Sequence, residues 1–192
     1  RGIAGAGTPS PSAVTALWRA GADINAPCRD GRTALHLAVA MQDHRTAMLD
    51  TLLGLGAETE RRDAQGRTAL MAAVEGNNPR MVQRLLAAGA KIDARNDRRD
   101  GETPLMAAAR LGYADIAGHL LKGGADVLLC DRFNRTAAKI AQDNPHTNRS
   151  SYDPMTGHAA PQPKTMLIEA EQKAAARAFE KQYRAARKKH GP

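Results

Sequence analysis

Aromatic residues make up only 3% of this 192-residue chain: one Trp, three Tyr and two Phe. A core built on large rings is excluded. Thin alanine-rich helices that stack closely suit what remains, because few large side chains are needed to fill their interfaces. Cysteine is nearly absent too. Cys28 and Cys130 are the only thiols, so no cysteine pair is at hand for zinc. No run approaches the roughly 18–20 apolar residues that span a bilayer, and a soluble protein is expected. Residues 1–12 lack a charged n-region followed by an apolar core, so they are not themselves a signal peptide. The chain opens on Arg1, which fits removal of a presequence or a start inside a longer protein. Catalytic motifs are also lacking: there is no phosphate loop, no Gly-x-Ser-x-Gly, and no carboxylate pair that periodicity brings into a pocket. His44, His119, His146, His158 and His190 show no metal-ligand spacing.

What is present is repetition. A Gly-Ala step follows an apolar helix four times, at Gly21, Gly56, Gly89 and Gly124, with intervals of 35, 33 and 35 residues. A second pattern falls into register: Gly31-Arg-Thr33-Ala-Leu35-His36, Gly66-Arg-Thr68-Ala-Leu70-Met71 and Gly101-Glu-Thr103-Pro104-Leu105-Met106. A degenerate fourth copy reads Asn134-Arg-Thr136-Ala-Ala138-Lys139. Each Thr is placed to cap a helix, and Pro104 suits a first helical position. A break follows near Gly76-Asn77 and at Gly112, then an outer helix such as Met81, Val82, Leu85, Leu86, whose spacing fills one face.

Over 13–143 this pattern resembles the ankyrin repeat, whose units open on Gly-x-Thr-Pro-Leu-His and close on Leu-Leu-x-x-Gly-Ala. The closing half is present at Leu52-Leu53, Leu85-Leu86 and Leu120-Leu121. The resemblance implies an all-α solenoid of helix-turn-helix units with hairpin-like fingers, and a structural role for His36 against the neighbouring turn. Full repeats are expected at 31–65, 66–100 and 101–133, after a flexible segment at 1–12. Cys28 and Cys130 then lie three units apart. At about 8–10 Å per helix layer they cannot bridge, and two free thiols favour a reducing compartment, cytoplasmic or organellar.

The ends depart from the pattern. Ala13 to Ala22 supplies only an outer helix, with Trp18 at the second Leu position and expected to pack on the next unit. Two extra residues fall between the helices near Gln42 to Thr46, and two more lengthen the finger at Arg95 to Asp100. Beyond the array, 144–163 is a Pro-rich linker, and 164–192 reads as a basic amphipathic helix. Its apolar stripe is Ile168, Ala175, Phe179, Tyr183 and Ala186, with Leu167 alongside.

The net charge is +8, of which +5 lies from Lys164 onward. In arrays of the resembled family, finger tips and inner-helix faces form a concave groove. Transferred by position, the contact residues are Met41, Arg61, Arg62, Glu75, Asn78, Arg98, Arg99, Arg110, Tyr113 and Arg132. Phe179, Tyr183, Arg184, Arg187, Lys188 and Lys189 form a tail anchor. The expected function is a non-enzymatic scaffold, itself monomeric and needing no cofactor or metal, that binds a protein with an acidic surface. One alternative is a ribonucleoprotein-type subunit whose tail holds RNA or DNA phosphates. Another is the recognition module of a longer enzyme.

Overall fold

A computed structural model of the chain describes residues 10–40, 46–144 and 162–190, the last nine by their backbone alone. Inner helices open on threonine. Thr68, Thr103 and Thr136 accept the backbone N–H of Met71, Met106 and Lys139 on their hydroxyl oxygens, a cap that stabilises each helix by about 1 kcal/mol. Thr33 differs: its Oγ1 lies 3.0 Å from His36 Nδ1. The other ring nitrogen of His36 lies 3.1 Å from the Arg67 carbonyl of the following turn. The break after the second inner helix falls on Asn77, in the left-handed region at φ 50°, with Gly76 at ordinary φ.

The helices are α1 (Pro11–Arg19), α2 (Ala34–Ala40), α3 (Ala47–Gly54), α4 (Ala69–Glu75), α5 (Pro79–Ala87), α6 (Pro104–Leu111), α7 (Ala114–Lys122), α8 (Ala137–Asp143) and α9 (Pro163–His190). They stack in two layers. Inner helices α2, α4, α6 and α8 pack in order, outer helices α1, α3, α5, α7 and α9 do the same, and each inner helix packs on the outer helix that follows it. Leu35, Leu70 and Leu105 fill the inner layer, and Leu49, Leu52, Met81, Leu85, Ile116 and Leu120 the outer one. Ala38, Ala73, Ala108 and Ala141 recur at one position of the inner helices and are all buried, where a small side chain suits close packing. Cys28 and Cys130 are free.

Three finger turns pass through a glycine at positive φ, and the last through Asn134 at φ 56°. Gly31 has φ +73°, and a Cβ there would stand 2.8 Å from the Ala64 backbone nitrogen. Both strain and clash oppose any side chain. Gly31→Ala is expected to cost about 2 kcal/mol in equilibrium denaturation, concentrated at the junction of the first two fingers because stability in a solenoid is a nearest-neighbour property.

The ends hold two corrections. Trp18 and Leu17 are exposed, and of α1 only Val14 is buried. The second Leu position of an outer helix is a rim position, half-buried at Leu53, Leu86 and Leu121 where neighbours flank it on both sides. Described residues flank α1 on one side alone, so its rim lies open.

The second correction concerns α9. It begins at Pro163 and packs on α8 and α7, the same two neighbours that α7 has in α6 and α5. Its first three turns therefore serve as the outer helix of the fourth unit. Leu167 joins the core, with Ile168, Ala170 and Ala174 packed against it, and Met166 Cε reaches within 3.4 Å of where a Gly118 side chain would begin. The expected stripe through Ala175 and Phe179 is exposed. The cause is length. At 1.5 Å per residue the 28 residues of α9 reach about 42 Å, and array helices of 7 to 9 residues offer a surface only a third as long.

Candidate partner-binding surface

The fingers are held by one recurring arrangement. Asp63 Oδ1 accepts the backbone N–H groups of Gln65 and Arg67, each at 2.9 Å, and its Oδ2 accepts Arg67 Nε at 2.8 Å. Asp131 does the same with Phe133, Arg135 and the Arg135 guanidinium. In the intervening finger the post is held by Asn96, buried, whose Oδ1 accepts Arg98 N–H at 3.0 Å. The two extra residues there are absorbed in a single 3₁₀ turn, Asp97–Arg99, closed by pairing of Asn96 with Glu102. Neighbouring fingers are stapled by arginine. Arg62 Nη1 donates to the Arg95 carbonyl at 2.6 Å, and Arg95 Nη1 to the Cys130 carbonyl at 2.8 Å.

Where fingers meet the inner-helix ends, ion pairs run in a chain. Arg67 joins Asp63 to Glu75 at 2.7 and 2.8 Å. Arg99 lies 3.4 Å from Glu75 and 3.9 Å from Glu102. Glu102 accepts Arg110 Nε at 2.7 Å and Nη2 at 3.3 Å. Asn144 donates its side-chain amide to the Arg110 carbonyl, tying α8 to the end of α6.

Titration follows this geometry. Burial pushes the Asp63 carboxyl up, but the Arg67 hydrogen bonds outweigh it and hold the group below its ordinary range. Burial against the Arg135 bonds gives the same result at Asp131. Arg110 is raised, chiefly by its bond to Glu102. Burial lowers His36, partly offset by the Arg67 carbonyl and the nearby Asp63 charge.

The residues singled out from sequence are distributed unevenly over this surface. Arg98, Arg99 and Arg110 line one cleft of about 630 Å³ between the last two fingers and the ends of α6 and α8. Glu75 joins them through Arg99. Arg132 is exposed on the finger beyond, its N–H donated to the Asp100 carbonyl. Arg61 is exposed and paired with Glu58. Arg62 spends one guanidinium nitrogen on carbonyls of two fingers. Asn78 is buried, capping α5 through Met81 N–H, and Tyr113 is half-buried against the core. Met41 lies outside the described residues. Of the tail group Phe179 is exposed, and α9 carries Tyr183, Arg184, Arg187, Lys188 and Lys189, whose side chains lie outside the description.

Phe133 and Leu128, both exposed on the last finger, were missed. Composition held a signal for the first: in a chain with two phenylalanines, one falls in a polar turn, Asp131-Arg-Phe-Asn134. Among the described residues no group of three or more His, Cys, Asp or Glu is placed to hold a metal, and no helix is long and apolar enough to cross a membrane.

Residues 40–131 match the family model for ankyrin repeats, in three copies. No curated protein matches the sequence. The match spans α3 to α7 and the fingers between them, the part of the fold in which the ion-pair chain lies.

Proposed function

The chain is an ankyrin repeat protein, its array a type of protein–protein interaction module, and from that premise we propose that it acts without catalysis, as a scaffold. Its fingers and inner-helix ends take a protein partner, and its basic C-terminal half-helix anchors it in a larger assembly. The observation that carries the first half is the chain of ion pairs from Asp63 to Arg110. It fixes a row of guanidinium groups in defined positions across two fingers, so little side-chain entropy is lost when a ligand meets them.

A second reading is favoured by how charge is distributed. The array over 10–144 carries 18 Lys and Arg against 16 Asp and Glu. The docked part of α9, 163–174, carries two of each. The overhang, 175–190, carries six basic residues against Glu180 alone. The overhang is thus the polyanion-binding element, suited to nucleic-acid phosphates as well as to an acidic protein.

The test is affinity capture from the native source with the full chain, with Arg98→Ala/Arg99→Ala, and with a chain ended at Ala174. The cut is placed there because one at Pro163 strips the fourth unit of its outer helix. The finger variant is expected to lose one set of proteins and the truncation another. Identical capture by all three removes both surfaces, and loss of RNA from the truncated chain alone moves the tail to the second reading.

A further inference from the structure

We infer that the cleft between the last two fingers and the ends of α6 and α8 is a subsite for an acidic, extended segment of a protein partner, with Phe133 as its apolar clamp. This rests on the reading of the concave surface as the partner site, and it names the chemistry that site accepts.

By count the cleft is balanced, since Arg98, Arg99, Arg110 and Arg135 face Asp100, Glu102, Asp131 and Asp143. By depth it is not. The carboxylates of Asp131, Glu102 and Glu75 have side-chain exposures of 3%, 13% and 19%, whereas the guanidinium-bearing side chains of Arg110, Arg135 and Arg99 stand at 39%, 43% and 45%. Asp131 and Glu102 lie beneath the cations, while Asp100 and Asp143 are exposed. Away from those two carboxylates an approaching ligand meets the guanidinium N–H groups. Arg110 commits Nε and Nη2 to Glu102, and Arg135 commits the same two nitrogens to Asp131. Each leaves Nη1 without a partner among the described residues, available to a further carboxylate. Arg98 has no ion partner among the described residues.

Phe133 supplies the second element. It is 63% exposed on the finger that forms one wall, with the Arg135 guanidinium 5.0 Å from its ring centroid. Aromatic residues, Phe among them, and Arg are each enriched at protein–protein interfaces. The cleft volume of about 630 Å³ lies in the range of sites that enclose a few side chains.

Charge spacing favours a protein segment over nucleic acid. Asp100 and Asp143 stand exposed at the rim. Isolated carboxylates separated by neutral residues pass between them, while a continuous run of phosphates meets repulsion at both. One ring face of Phe133 is already taken by Arg135, which leaves a base a single face for stacking.

The probe is an array of short synthetic peptides of fixed length, running from no Asp or Glu to half, with and without a Leu, read with the labelled full chain. Retention is expected to rise with acid content. A bound acidic peptide, measured by fluorescence polarisation, is expected to weaken about tenfold on exchange of its acids for amides, the scale of one charge-assisted pair. Arg98→Gln and Phe133→Ala should each weaken it about fivefold, the scale of one exposed contact, and both sites are exposed enough to leave the fold intact. Arg80→Gln, exposed on the outer helix α5, should leave it unchanged. Retention independent of acid content, no retained peptide, or affinity indifferent to both cleft variants overturns the subsite. So does a single-stranded RNA that binds with the Arg98 and Phe133 sensitivities. The scaffold reading is judged separately: if Arg98→Gln and Phe133→Ala still capture the native partners, the cleft falls and the scaffold stands.

Discussion

Leu167→Asp is expected to release α9 from the array and to lower the stability of the last unit by about 3 kcal/mol. Leu167 is 1% exposed in the same core as Ile116 and Leu120. Burying its side chain contributes about 1.5–3 kcal/mol, and the flanking Met166, Ile168 and Ala170 add partial burial. An unpaired carboxylate at that position costs more than the whole contact yields. The helix therefore undocks instead of burying the charge, and the loss is capped at the docking free energy. Hydrogen exchange reads the outcome by segment. Protection over 163–174 should vanish and that of α7 and α8 should fall, while α4 and α5 keep theirs because repeats couple to nearest neighbours. Leu167→Ala should leave the helix docked at a cost of about 2 kcal/mol, the low end for a buried leucine. A wild-type chain unprotected over 163–174, or a variant with unchanged protection, refutes the assignment of α9 to the fourth unit.

That assignment also shows where sequence reasoning stops. The Thr caps, the Gly turns and the inner leucines are local, and each repeats at a fixed interval, so period and residue chemistry were enough to place them. The fourth outer helix could not be placed this way. Nineteen residues, 144–162, separate the end of α8 from Pro163, which breaks the period, and its Pro163-Lys-Thr-Met-Leu167 start lacks the Leu-Leu and Gly-Ala close. Hydrophobic periodicity along α9 reports which residues share a face, not how far along the helix a packing surface continues. The ion partners of the arginines were illegible for a related reason. Their partners lie across turns, Arg67 with Glu75 and Arg110 with Glu102, or between a finger and the helix before it, Arg99 with Glu75. Counting charges along the chain reveals neither the pairing nor its layering. Asn78 was similarly ambiguous, since one position serves equally as groove edge or helix cap, and the fold uses it as the cap.

Asp63→Ala should be the most damaging single change in the fingers, at about 3 kcal/mol. Its carboxylate is fully enclosed and satisfies the backbone N–H groups of Gln65 and Arg67 as well as the Arg67 guanidinium. Alanine leaves both N–H groups short of partners, at about 1–3 kcal/mol for each buried group left unmade, with the lower end applying where water can enter. Arg67 keeps Glu75, which limits the loss. Asp63→Asn restores Oδ1 to the turn but sets an amide donor against the guanidinium, so it should fall between wild type and alanine. The third finger supports this ordering. Asn96 occupies the equivalent post where the residue four positions on is Asp100, whereas Asp63 and Asp131 face Arg67 and Arg135. The post is charged only where an arginine answers it.

The pH dependence separates this contribution from that of His36. Asp63 is held below its ordinary 3.8, so its stabilisation is complete above that value and lost as pH falls from there toward the folded pKa. His36 is lowered from 6.5 mainly by burial. The unfolded chain takes up that proton first, and stability declines as pH falls below 6.5. Wild-type denaturation midpoints should therefore drop in two windows, one beginning near 6.5 and one beginning near 3.8. Asp63→Ala should flatten the lower window. It should widen the upper one, because the Asp63 charge favours the protonated ring and its loss lowers His36 further. An unchanged acid slope in Asp63→Ala refutes the role assigned to this carboxylate.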